Sequence, residues 1–248
     1  MNKIKILLIS SCVILFSSAV NSQNKDNNTS KNQTKSKKMN QKIKEEALEQ
    51  IEQDVLMGFE TQDDMFESIS EMFYDVDDFD EDWLKKIINE KFNQHKKESL
   101  KWVKPTAFDR LVKSFDYLTL QKIVGLHNAG YTKQDAIAEC EEAIDELKKR
   151  NIDVVGYCYY HEQDIGGAID KSVRKLYIGF GSVDQEDAKT LIVGNTIIKV
   201  LKENNFEVEW DGTVNQRITI INIDWKKIPD NETWGVNRVI QILTSKRK

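Results

Sequence analysis

Four consecutive residues, His161-Glu162-Gln163-Asp164, are the densest group of potentially chemical side chains in this 248-residue sequence. An imidazole with two carboxylates beside it could move a proton or hold a metal ion. The four close a run, residues 154–164, rich in β-branched and aromatic side chains and followed by Gly166-Gly167, which reads as a buried strand. Strand alternation sends Glu162 to the face opposite His161 and Gln163, so the three do not converge without a bulge. A hydrogen-bonded structural histidine is therefore the preferred reading, and no metal or cofactor is expected. Five further residues are candidates for a ligand site: Asn128 and Tyr131 after an earlier strand, and Trp210, Asp211 and Arg217 in a late hairpin. Asp211-Gly212 is also explained as turn chemistry, and Arg217 as its ion-pair partner across the hairpin. His127 and His95 are weaker, because His95 lies on the apolar stripe of a helix. The chain has no nucleophile elbow, Walker loop, CxxC or HExxH, and Gly179-Phe-Gly181 is too little for a phosphate loop.

The elements that must position these residues begin at Ile123-Val-Gly-Leu126, a short strand. Thr132 opens a helix to about Arg150, with Asp135 as its capping partner. Strands follow at 154–162, 175–180, 206–210 and 217–223, with a helix over 184–204. The order β-α-β-β-α-β plus one strand predicts an α+β two-layer sandwich with a mainly antiparallel, ferredoxin-like sheet. In that topology strands two and four run the same way, which puts His161, Gln163 and Asp164 at one end with Trp210, Asp211 and Arg217. Asn128 and Tyr131 fall at the far end beside Gly181. Strands two and four then lie at opposite margins, about 14 Å apart, so one compact pocket needs another strand order. His161 close to Asp211 or Arg217 would favour a ligand site.

Upstream, apolar stripes at helical spacing predict a helical region over 39–120, packed on the sheet through Trp83, Phe92 and Trp102 against Phe108 and Phe115. Residues 45–82 hold sixteen acids and no Lys or Arg, whereas 85–104 hold seven Lys and two Glu. Either the basic helix neutralises the acidic ones, the reading taken here, or the acids form a partner-binding face. A calcium loop fails at Asp75–Asp82, because Trp83 stands where glycine is required and Asn89 where the last glutamate belongs. Residues 229–248 form a C-terminal extension whose Trp234, Val239, Ile240, Ile242 and Leu243 predict packing.

Lys3 and Lys5, an apolar run over 6–16 and small residues at 17–22 read as a signal peptide, followed by a polar tether over 23–38. Export to the periplasm or medium is expected, with a lipid anchor at Cys12 as the alternative. Residues 1–38 carry seven Lys and one Asp, or +6, so the remainder of the −5 chain carries −11. So acidic a body repels phosphate backbones, which argues against nucleic acid. Cys140 and Cys158 read as two buried thiols, a disulfide being the alternative.

Several motifs, in one order, carry a resemblance. They are His127-Asn-Ala-Gly-Tyr-Thr132 with Asp135, Gly156-Tyr-x-x-Tyr-His161-x-Gln-Asp164, Leu176-Tyr-x-x-Phe-Gly181, Val208-Glu-Trp-Asp-Gly212, Arg217-Ile218 and Asp224-Trp225. Over roughly residues 43–228 the chain resembles the bacterial domain of unknown function numbered 6891. The resemblance supports the α+β domain at 121–228 and implies no activity. Two function classes follow from the residues. One is a non-catalytic module that binds another protein, favoured by acidity, the missing catalytic motifs and the aromatic content. The other is a small-molecule site or hydrolase built around His161 and Asp164.

Overall fold

Most of the helices start where the sequence supplies a side-chain oxygen for their open N–H groups. The structure, a computed structural model, describes residues 39–245. Asn40 caps α1 (Gln41–Met57), Thr61 caps α2 (Gln62–Met72), Asp80 caps α3 (Glu81–Ser99) and Thr106 caps α4 (Ala107–Leu120). Ala47, Ile51, Val55, Met65, Ile69, Phe73, Leu84 and Ile88 give α1–α3 a core of their own, with Trp83 and Phe92 at its margin. Lys91 of α3 bonds Glu52 of α1 at 2.5 Å, so the basic helix does meet an acidic one. The packing expected of Trp83, Phe92 and Trp102 on Phe108 and Phe115 is not found. Trp102 lies on His95, with ring centres 5.2 Å apart. The reason is that α4 turns its apolar stripe, Leu111, Phe115 and Leu118, toward the sheet instead of toward α3.

The second half runs β1 (Ile123–Leu126), α5 (Lys133–Lys148), β2 (Gly156–Tyr159), α6 (Glu162–Ile169), β3 (Leu176–Ser182), α7 (Asp187–Glu203), β4 (Glu207–Glu209), β5 (Ile218–Ile221) and α8 (Val236–Ser245). The five strands are ordered β1-β2-β3-β5-β4, and every neighbouring pair is antiparallel except β1 and β2. The fold is α+β with a mainly antiparallel sheet, as the element order predicted. The ferredoxin-like strand order is not what forms. A sixteen-residue helix between β1 and β2 allows a crossover, and the two pair side by side in parallel. At the other margin β4 is three residues long with Glu207 and Glu209 exposed, a pattern suited to an edge. Ile218 and Ile220 of β5 are buried, so β5 takes the interior place beside β3.

The helices divide between the two faces of the sheet, so the expected two layers become three over β1 and β2. Phe115 of α4 closes on Gly125, where an added β-carbon would lie 3.1 Å from the ring. That face also receives α6 and α7 through Ile165, Ala168, Val193 and Ile197. The opposite face of β1 and β2, with Val124, Leu126 and Tyr159, is covered by α5 and then by Val239 and Leu243 of α8. The C-terminal extension therefore packs, as its apolar residues predicted, and Arg238 fastens it to Asp116 of α4 with bonds of 2.9 and 2.7 Å. Cys158 faces one side of the sheet and Cys140 of α5 the other, so both remain free buried thiols. The expected signal segment (1–22), its Cys12 and the tether (23–38) lie outside the described residues. Within those residues no helix is long and apolar enough to cross a membrane.

Candidate functional site

His161 is not on a strand. The chain leaves β2 at Tyr159 and winds into α6, with His161 in the N-cap position and Asp164 at the third helical residue. The helical turn replaces strand alternation, so residues three apart come together and Gln163 between them points to solvent. The Asp164 carboxylate accepts the His161 backbone N–H at 3.2 Å and is itself only 3% exposed. Its second oxygen receives the Arg217 guanidinium at 2.8 Å. The same Nη1 lies 3.4 Å from His161 Nε2, and the guanidinium stands 4.8 Å from the centre of the Tyr177 ring.

The sheet order produces this meeting. With β5 next to β3, only one strand separates Arg217 from the segment after β2, and that strand carries glycines where side chains would stand in the way. Tyr159 pairs with Gly179, and Ile218 with Ile178, so Arg217 emerges one step from Gly179. A β-carbon on Gly179 would sit 2.6 Å from Tyr159 Oη, and one on Gly181 would sit 2.5 Å from Tyr157 Oη. The tyrosines lie across the glycines, and Arg217 crosses the remaining gap.

The parallel pairing of β1 and β2 decides a second placement. Both strands end at the same edge, and the loop after β1 lies against the segment after β2: Ala129 N–H donates to Tyr160 O at 2.9 Å and Glu162 N–H to Gly130 O at 3.1 Å. Asn128 and Tyr131 are therefore beside His161, not at the far end near Gly181 as the ferredoxin-like order implied. Trp210 and Asp211 are not part of the group. Trp210 turns to the opposite face, onto Phe180 and Gly194, and its Nε1 donates to Thr213 O and Gln216 O. Asp211 accepts from Thr213 in the turn, and Arg217 pairs with Asp164 instead of Asp211.

Burial lowers the His161 pKa, and the Arg217 charge adds to that, against the pull of Asp164 and Asp135. The imidazole is thus the neutral form at pH 7, with Nε2 facing a pure donor and Nδ1 carrying the proton. Nδ1 is 3.2 Å from Asp164 Oδ2 but off hydrogen-bond geometry, so it is buried without a partner, as is Asn128 Oδ1. Burial holds the Tyr159 phenol up at about 12, which removes it as a base. No Ser, Thr or Cys side chain joins the His161–Asp164–Arg217 group among the described residues, and no group of three or more acidic, Cys or His side chains could hold a metal ion. The arrangement orients a guanidinium.

A second concentration of chemistry escaped the sequence reading. Lys227 is buried, with its ammonium 4.7, 4.9 and 4.8 Å from the ring centres of Phe59, Phe108 and Trp234, and it bonds Asp230 at 2.9 Å. His127 lies in the same aromatic group, stacked on Phe115 and bonded through Nδ1 to Tyr160 Oη at 2.9 Å, with Nε2 unpartnered. Its pKa is pushed well down by burial and then by Arg238 and Lys227. A cleft of about 340 Å³ opens beside Lys227, lined among others by Lys104, Phe108, Asp230 and Trp234 and by none of the eight predicted site residues. The clue available beforehand was the apolar setting of Lys227, flanked by Trp225, Ile228 and Trp234.

The sequence model of one protein family matches residues 40–229, from the cap of α1 to just past β5. The chain belongs to that family, described as a domain of unknown function (DUF6891). The family match covers the His161–Asp164–Arg217 group, Tyr177 and the Lys227 cluster up to Pro229, and it stops before α8. No curated protein matches the chain, and no solved structure does.

Proposed function

We propose that the chain is a non-catalytic binding module of an exported protein, and that it engages another protein at the edge where β1 and β2 end. The observation that carries this reading is Arg217, clamped by Asp164 and Tyr177 yet 37% exposed at the side chain. A charged group held in place before its partner arrives has little rotamer freedom left to lose, which favours recognition. Tyr131, 47% exposed at the same edge, adds the amphipathic ring that interfaces favour. The hydrolase alternative is less well supported, because His161 faces Arg217 and Asp164 where a base would need a hydroxyl, thiol or water. Export rests on the basic and apolar N-terminal sequence; N-terminal sequencing of the native protein is expected to find residues 1–22 absent, and a start at Met1 would remove that part of the reading.

The test is site-specific photocrosslinking in the native host. A photoreactive phenylalanine at Tyr131 should capture a discrete protein adduct, and the same probe at Tyr74, exposed on the acidic helical region, should not. Adducts at Tyr74 and none at Tyr131 would move the binding surface to the acidic helices and overturn this assignment.

A further inference from the structure

We infer that this edge reads a carboxylate group, taken bidentately by the Nε and Nη2 side of Arg217. The inference rests on the binding-module reading and names the chemistry of its contact. Arg217 spends one nitrogen internally: Nη1 serves Asp164 and faces His161. Nε and Nη2 make no hydrogen bond to the described residues, and the side chain is exposed enough for water to reach them. These two N–H groups are parallel and coplanar, the fork that matches the two oxygens of a carboxylate. The guanidinium plane is already set by the Tyr177 ring and by the buried Asp164, so the fork has one orientation to offer.

Charge decides whether an anion is tolerated there. Arg217 and Asp164 cancel, and the imidazole of His161 is neutral, so an incoming carboxylate meets no uncompensated negative charge inside the group. The parallel pairing of β1 and β2 also aims the N-termini of α5 and α6 at this edge, and their partial positive charge is offset in part by Asp135 and Glu162. His161, 5% exposed beside the same Asp164, backs the guanidinium from the protein side, with Nε2 3.4 Å from Nη1.

The experiment is an NMR titration of the full chain, following the Arg217 Nε–Hε resonance and, so that variants without that arginine can be read, the backbone amides of Tyr131 and His161. Acetate should shift it saturably and the uncharged isostere acetamide should not. Two arms separate the sources of a carboxylate: N-acetylglycine offers a chain terminus, and N-acetylaspartate α-methylamide, its β-carboxylate free, offers a side chain. Arg217→Lys keeps the charge and loses the fork, so acetate binding should weaken by about tenfold or more. Arg217→Gln leaves Asp164 buried and unpaired, so the Arg217→Gln/Asp164→Asn double variant serves as the folded control, and it should not bind. Equal shifts with acetate and acetamide, an unmoved Arg217 resonance, or undiminished binding by the lysine variant would each overturn the inference. Carboxylate binding without a Tyr131 crosslink would uphold it and defeat only the protein-partner reading. A Tyr131 crosslink with no carboxylate response would do the reverse.

Discussion

Replacing Lys227 by methionine should leave the protein almost as stable as before, whereas replacing it by alanine should not. The Lys227 side chain is 1% exposed, and its ammonium sits inside three aromatic rings, donating to Asp230 at 2.9 Å and to the Ile228 carbonyl at 3.2 Å. Two effects oppose each other. Burying an ammonium costs several kcal/mol, while ring attraction contributes about 2 kcal/mol when desolvated. The Lys227 pKa lies below its ordinary value because burial outweighs the attraction of Asp230, so the charge is a net burden on this site. Asp230 is 35% exposed and also holds Trp234 Nε1 at 2.9 Å, so it is not stranded when the ammonium goes. Methionine keeps most of the stem volume, and Lys227→Met should stay within about 1.5 kcal/mol of the wild type. Alanine removes three methylenes at about 0.8 kcal/mol each and leaves a cavity, for a loss of about 3–5 kcal/mol. In a domain of this size that is a drop of roughly 6–20 °C in Tm. Urea unfolding followed by tryptophan fluorescence and circular dichroism would measure it. If Lys227→Met fell as far as Lys227→Ala, the ammonium itself would be what holds the rings, and the reasoning would be refuted.

Three other outcomes can be checked directly. His127 has a folded pKa well below the ordinary 6.5, so the stability it contributes is complete above pH 6.5 and is lost as pH falls below it, by up to about 1.4 kcal/mol per unit until the folded pKa is reached. His127→Phe should therefore show a flatter loss between pH 7 and pH 5 in urea titrations, and an unchanged slope would point to another group. Gly179→Ala should displace the Tyr159 ring and lower stability by about 1–3 kcal/mol, with loss of the Arg217–Asp164 contact visible as a shifted Arg217 Nε–Hε resonance; a silent variant would contradict the close approach of ring and glycine. Cys140 and Cys158 should resist alkylation in the native protein and react together on unfolding, since burial holds both thiols protonated; rapid native labelling of either would be inconsistent with that burial.

Much of the local structure was legible in the residues. Thr132 with Asp135 marked a helix start that the structure reproduces, and Asp211-Gly212 marked the turn before β5. These signals are local: a cap or a turn needs only the next few residues to succeed. Element order likewise sufficed for the α+β class. The error at His161 came from a pattern shared by competing structures. Residues 154–164 kept a strand-like composition past Tyr159, while the capping geometry of His161 and Asp164 starts a helix two residues later. The type and spacing of the two residues were visible; their helical phase was not read.

Local sequence settled the helix start at Thr132, the approximate places of the strands and the burial of Cys140, Cys158 and the apolar stripes, because each depends on a residue and its near neighbours; the family resemblance was carried by a series of motifs in one order. Tertiary structure alone decided that β1 pairs in parallel with β2 and that β5 enters beside β3. Several strands of similar apolar character could exchange places without altering any local signal, and the choice is made by which edges are charged and which faces already carry a helix. That choice brought Asn128 and Tyr131 to His161, gave Asp164 its Arg217 and sent Trp210 to the other face. It also buried Lys227: an ammonium in sequence looks like surface, and only rings drawn from Phe59, Phe108 and Trp234, far apart along the chain, could compensate it inside.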